Sequence, residues 1–343
     1  MLPLDTTLFT ASYGYVWLGI FVLLNFLISR EIKSGRAYVG VLLTALVVAA
    51  AWFVIPEWGM RWGLLIASIL VIIVGKSDEI MKLSARTQLI WQIVIAAIVV
   101  VSGWTIPYVS HPFADGLLNL TLFQVGPLTL PADLLAIAWI VLLMNAVNWL
   151  DGMDGLAGGV GVIAHIALVA VAMLPSIQSG TTLGLAGIGA SALAAFFIWN
   201  APPAKVYLGT VGSWFIGMYL AIVASGGGGK IATALLILAI PIVDVGVVVL
   251  RRIISGHSVT SGDTVNHIHH RWQKAGVSKR TILAAALVVT AFLGLASILL
   301  TTQAKLIFFV VSALGVAASG LRLWIRRRKL KSQYATTAPV HHW

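Results

Sequence analysis

The residues able to do chemistry gather in four segments. In NAVNWLDGMDGLAGGVG, residues 145–161, Asp151 and Asp154 stand three apart, a spacing that puts both carboxylates on one helix face. Gly152, Gly155, Gly158 and Gly159 let backbone approach a ligand closely, and Asn145 and Asn148 add amide donors. A helix cap would explain one such Asn or Asp, but not two of each within otherwise apolar sequence. In GKSDEIMKLSAR, residues 75–86, adjacent Asp78 and Glu79 form a candidate metal or general-base pair, because neighbouring carboxylates both stay ionised only beside a cation. The plainer reading is a solvated loop with Lys76 and Lys82 as partners. WNAPPAKVYLGTVGSW, residues 199–214, breaks at Pro202-Pro203, then offers Lys205 to a phosphate and backbone N–H groups at Gly209, Gly212 and Ser213 to an anion. A simple interhelical turn would read the same way. In SGHSVTSGDTVNHIHHRWQKAGVSKR, residues 255–280, His267, His269 and His270 lie beside Asp263, Arg271 and Lys274. Their spacing does not suit zinc on one helix face, so phosphate recognition is the better reading and an unstructured His cluster the plain alternative.

The elements that must position these residues follow from composition. Of 343 residues, 59% are hydrophobic and only 10% charged, with a mean hydropathy of +0.99. A soluble surface needs roughly 25–35% charged residues, so the solvent here is lipid. The apolar residues fall into runs of a length that crosses about 30 Å of hydrocarbon as a helix, which excludes the shorter alternating strands of a barrel. The fold expected is an all-α polytopic membrane protein with about eleven spans, near 13–29, 37–54, 62–74, 87–109, 132–149, 155–175, 182–198, 206–225, 230–250, 281–301 and 305–325. Residues 1–325 form one membrane domain on this reading, and 326–343 a basic tail against anionic lipid. With the N-terminus outside, 19 of the 22 Lys and Arg fall in one set of loops, which the positive-inside rule makes cytoplasmic. The net charge of +11 therefore reports loop orientation and not nucleic-acid binding. The N-terminal run lacks the basic start and cleavage site of a signal peptide. Residues 110–131 form the one sizeable external loop, in which LTLFQVGPLTL predicts a hairpin turning at Gly126-Pro127. Cysteine is absent, which leaves any metal to Asp, Glu, His or backbone oxygen.

Taken in order on one membrane face, these segments resemble the polyprenyl-phosphate N-acetylhexosamine-1-phosphate transferases, the superfamily that includes phospho-N-acetylmuramoyl-pentapeptide translocase. The resemblance rests on NAVNWLDGMDGLAGG, NAPPAKVYLGTVGS, IPIVDVGVVVLRR and the HIHH of residues 267–270. WNAPPAKVYLG is closer in wording to the O-antigen initiating branch than to the peptidoglycan branch. The resemblance implies transfer of a sugar 1-phosphate from a UDP-sugar to polyprenyl phosphate with release of UMP, dependent on Mg²⁺ with Mn²⁺ as the alternative ion. It implies catalytic roles for Asp78, Glu79, Asp151, Asp154 and His267, with Asp78, Glu79 and Asp154 at the metal. It also implies substrate contacts from Asn148, Asn200, Lys205, Tyr207, Gly209, His269, His270 and Arg271, with Asn200 and Tyr207 at the uridine.

Three departures stand against this pattern. The family's G-D-x-G-S carries a metal-bound Asp, whereas Thr210 occupies that place in Gly209-Thr210-Val211-Gly212-Ser213. Gln88 replaces a basic residue usual after the acidic pair, and REIKSGRAYVG lacks the family's first-loop motif. The leading expectation is therefore a transferase of the bacterial inner membrane, working on the cytoplasmic side to start a lipid-linked envelope glycan such as lipopolysaccharide, with room for a homodimer. A relative that binds nucleotide sugar or polyprenyl phosphate without turnover is the alternative. A secondary transporter fits less well, because its site should lie near the bilayer midplane and these motifs all sit at one edge.

Overall fold

The computed structural model describes residues 6–34, 38–111, 116–226, 230–254 and 272–315. The helices are α1 (Thr6–Ser34), α2 (Val39–Val54), α3 (Trp58–Met81), α4 (Ala85–Val101), α5 (Ala132–Leu150), α6 (Leu156–Ala172), α7 (Gly180–Asn200), α8 (Gly209–Ser225), α9 (Lys230–Ile237), α10 (Ala239–Ile254), α11 (Lys279–Leu299) and α12 (Thr302–Gly315). Five are long and apolar enough to cross a membrane by length and composition: Tyr13–Ile32 within α1, and α3, α5, α7 and α11. The other apolar helices of the described residues are shorter. The basic tail and the His cluster lie outside the described residues.

Local sequence sets several helix starts. Ser84, Ser179 and Ser278 each accept the backbone N–H three residues on, from Thr87, Thr182 and Thr281, and so cap α4, α7 and α11. Pro241 has no N–H to offer Ile237, and the apolar run 230–254 accordingly breaks between α9 and α10. Between α4 and α5, β3 (Thr121–Val125) and β4 (Leu128–Pro131) pair antiparallel about Gly126-Pro127, as the sequence predicts. A second ribbon, β1 (Tyr108–Ser110) with β2 (Leu117–Asn119), was not expected from the sequence.

The core sits around α8. Every residue from Val211 to Ala224 is buried, the signature of a helix apolar on all sides. Neighbours α2, α3, α5 and α7 surround it. Helix α3 comes close at Gly75, where a Cβ would stand 2.9 Å from the Val211 backbone nitrogen and Cα. That close packing fixes the last turns of α3 against the first turn of α8. On the outer surface, Val288, Phe292, Leu295 and Leu299 make an exposed apolar stripe along α11, a liability in water and a requirement in lipid. At the start of α3, Trp58 and Trp62 pack edge-on with Trp52, and Arg61 lies over the Trp58 ring. Such a belt suits a membrane interface. Asp78 follows Trp58 by 20 residues, about 30 Å along the helix, at the opposite end of the molecule.

Candidate active site

The hydropathic run ends near residue 74, but α3 continues to Met81, so Asp78 and Glu79 belong to its last turn and not to a loop. Lys82 then closes the helix in the left-handed region, at φ 53°, with its N–H on the Asp78 carbonyl at 2.9 Å. The chain reverses at once into α4, which returns Gln88 to the turn it has just left. Gln88 Nε2 donates to Asp78 Oδ1 at 2.8 Å, and the Leu83 N–H donates to the same oxygen at 3.1 Å. The other oxygen, Oδ2, accepts from Thr210 Oγ1 at 2.7 Å. Glu79 pairs with Lys76 at 2.6 Å through Oε2, while Oε1 lies against Gly209.

The loop after α5 reaches the same point. The Asp151 carboxyl accepts the backbone N–H of Gly209, and burial pushes its pKa up to about 7, partly opposed by that hydrogen bond. Asp78, Glu79 and Asp151 thus meet at Gly209-Thr210, the first turn of α8. One turn back along α5, Asn148 Oδ1 accepts from Ser213 Oγ at 2.8 Å, and Asn145 Nδ2 donates to Gln92 Oε1 at 2.6 Å. Gln92 lies one helical turn beyond Gln88, so α3, α4, α5 and α8 are linked by a polar ring inside an otherwise apolar bundle.

The Asp151 arrangement predicts a pH dependence of stability. Its carboxyl holds a proton in the folded chain up to about pH 7, whereas the unfolded chain releases it near the ordinary 3.8. Below about pH 4 both states are protonated and nothing is lost. Between about pH 4 and 7 the unfolded state ionises first, so stability falls by at most about 1.4 kcal/mol per pH unit and then levels off. Asp151→Asn should flatten this limb, which thermal melts in detergent across that range would reveal. An unchanged slope would mean that Asp151 is solvated.

Asn200, expected at a uridine, is 2% exposed. Its Oδ1 accepts the Gly155 N–H at 2.9 Å and its Nδ2 donates to the Val206 carbonyl at 2.8 Å. It fastens the loop after α5 to the loop after α7. Lys205 and Tyr207 are exposed beside it, and the Lys205 ammonium lies 5.5 Å from the Trp199 ring centroid. Asp154 stands apart from Asp78 in its partners, in a long pair with Lys279 at 3.7 Å. His267, His269, His270 and Arg271 lie outside the described residues. Behind the loop after α5, a cleft of about 200 Å³ opens between α5, α6, α10 and α11, lined by Trp149, Leu150, Leu156, Ile240, Trp272 and Val289, with Asp244 at its wall.

The model of glycosyl transferase family 4 matches residues 61–227, the stretch that contributes Asp78, Asp151, Asn200 and Thr210. Over this stretch the chain is similar to that family. A "Probable undecaprenyl-phosphate N-acetylglucosaminyl 1-phosphate transferase" of Bacillus subtilis is 30% identical over 63% of this chain and 59% of its own length. The "Phospho-N-acetylmuramoyl-pentapeptide-transferase" of Lactobacillus gasseri is 30% identical over 57% of this chain and 63% of its own. A "Decaprenyl-phosphate N-acetylglucosaminephosphotransferase" of Mycobacterium leprae is 28% identical over 64% and 59% respectively. The chain thus spans less than two thirds of the length of each of these relatives.

The residues expected at Mg²⁺ by resemblance to the family face other partners in this structure. Among the described residues no three His, Asp or Glu side chains gather as a metal-holding group. Both oxygens of Asp78 already accept from uncharged donors, and Glu79 and Asp154 face Lys76 and Lys279. These residues do not fit a resident divalent cation. Gln92 and Lys279 were missed as contributors. Gln92 had a signal, a Gln one turn beyond Gln88 in an apolar run; Lys279 had none, because its partner is 125 residues away.

Proposed function

We propose that the chain transfers a sugar 1-phosphate from a UDP-sugar to polyprenyl phosphate on the cytoplasmic side of a bacterial plasma membrane, releasing UMP. The observation that carries this reading is the double face of the α5 C-terminus. Asn148 and Asp151 turn toward the polar turn of α8, while Trp149 and Leu150, between them in sequence, line the apolar cleft. A soluble polar donor and an isoprenoid acceptor would need polar groups and an apolar cleft side by side at one membrane edge. The basic loops of the same end support its cytoplasmic placement.

In the reaction an oxygen of the lipid phosphate attacks the sugar-bearing phosphorus. The bond from that phosphorus to the bridging oxygen breaks, and UMP leaves with that oxygen. Two anions must meet, so cationic groups have to screen them, and Lys205 and Lys279 stand at this end of the bundle. A carboxylate keeps the attacking phosphate deprotonated. Asp78 is held rigidly for such a task, and Asp151 would exchange a proton near neutral pH. The test is UMP release by purified protein given polyprenyl phosphate and a panel of UDP-sugars. Release with one donor only would name the sugar, and none with any donor would sink the transferase reading. The hydrogen bond from Thr210 to Asp78 favours a second reading, in which the chain binds these ligands without turnover.

A further inference from the structure

We infer that Thr210 and Gln88 form an uncharged clamp that does for Asp78 what a bound cation would otherwise do, so that the chain holds no resident divalent ion at this site. The inference deepens the proposed function and rests on that reading only for the ligand's identity.

Thr210 Oγ1 and Gln88 Nε2 approach opposite oxygens of one carboxylate, at 2.7 and 2.8 Å, and the Leu83 N–H adds a third donor at 3.1 Å. The three donors come from three places: the first turn of α8, the first turns of α4, and the link that joins α3 to α4. Together they fix Asp78 in position and orientation without adding any charge. A carboxylate at position 210 would stand at hydrogen-bond distance from Asp78, and two carboxylates so placed remain ionised only with a cation between them. A hydroxyl removes that requirement, because it donates. A cation entering between residues 78 and 210 would meet the hydroxyl's hydrogen and would have to break this bond for one neutral ligand oxygen. Glu79 offers no substitute, since Lys76 already neutralises it at 2.6 Å. The two residues are also matched in charge. An uncharged residue at 88 beside an uncharged residue at 210 leaves Asp78 balanced by hydrogen bonds alone. A diphosphate arriving here would bring its own counter-charge or take it from the lysines of the loops.

The test is Mn²⁺ binding to the purified full-length chain without nucleotide, followed by titration calorimetry and by the paramagnetic signal of free Mn²⁺. Wild type is expected to show no saturable site below about 1 mM, whereas Thr210→Asp should gain one with affinity increased by at least about 10- to 100-fold. Adding Asp78→Asn to Thr210→Asp should abolish the gained site. In thermal melts, wild type should be indifferent to Mg²⁺, and Thr210→Asp should melt lower in chelator and recover with Mg²⁺. Should Thr210→Asp fail to fold, the wild-type titration still decides. A saturable wild-type site at tens of micromolar that Asp78→Asn removes would overturn the inference, as would a folded Thr210→Asp that gains no site. Failure of the transferase reading looks different. No UMP release together with no Mn²⁺ site removes the reaction and leaves the clamp, whereas release together with a tight wild-type site removes the clamp and leaves the reaction.

Discussion

Asp78→Asn is expected to lower UMP release by about 10²- to 10⁴-fold, the range a positioned acid or base contributes, without lowering the melting temperature. The substitution keeps the shape of the side chain. Its remaining oxygen can accept from Gln88 and Leu83, and its new NH₂ can donate to Thr210, whose hydroxyl accepts as readily as it donates. Only the charge is lost. That charge is a local cost to the helix, because Asp78 and Glu79 occupy the last turn of α3, the negative end of its dipole, with no basic residue in that turn. Removing one of the two anions should therefore be neutral or favourable by a few tenths of a kcal/mol up to about 1 kcal/mol. A carboxylate kept where the helix disfavours it is the mark of a functional position. Paired measurements of UMP release and thermal melting decide the matter. A variant that melts early with proportionate loss of activity would make Asp78 a structural residue, and one with wild-type turnover would remove it from the chemistry.

Hydropathy reports which solvent a residue meets, and for that reason the apolar helices and the hairpin at Gly126-Pro127 were legible while the helix ends were not. Lys76, Ser77, Asp78 and Glu79 read as a loop because they leave the lipid, but their backbone hydrogen bonds continue the helix. The break at Leu238 had a signal in Pro241, but the residues on both sides of it are apolar and the run reads as one span. The motif around residues 145–161 and the Gly209 turn could be read from residue types that apolar sequence does not otherwise contain. Their partners could not be read. Asp78 meets Thr210 across 132 residues and Asn145 meets Gln92 across 53, and such pairings are set by how α8 packs between α3 and α5. Asn200 was legible as a polar residue in a suggestive motif, but not as the tie between two adjoining loops whose buried backbone groups it pairs.

Gly209→Ala should prove as damaging as loss of a catalytic side chain, although it removes no functional group. Gly209 sits at φ 65°, where a Cβ costs about 1–2 kcal/mol. That Cβ would also collide with Glu79 Oε1. Either Glu79 swings away and its pair with Lys76 breaks, or the first turn of α8 shifts. The second outcome is the more harmful, because the Gly209 N–H is bonded to Asp151 and the next residue is Thr210. A shift of about 1 Å there would uncouple two carboxylates together, and misplacement of that size costs about 10²-fold in rate. Stability should fall by only a few kcal/mol, since the rest of α8 stays gripped through Gly75 and the α5 packing. The double variant Gly209→Ala with Glu79→Ala separates the two causes. If the collision dominates, clearing the Glu79 side chain should recover much of the melting temperature; if backbone strain dominates, it should recover none. Wild-type rate and melting temperature in Gly209→Ala would show that α8 does not begin in this conformation, and the convergence of Asp78, Glu79 and Asp151 on its first turn would fall with it.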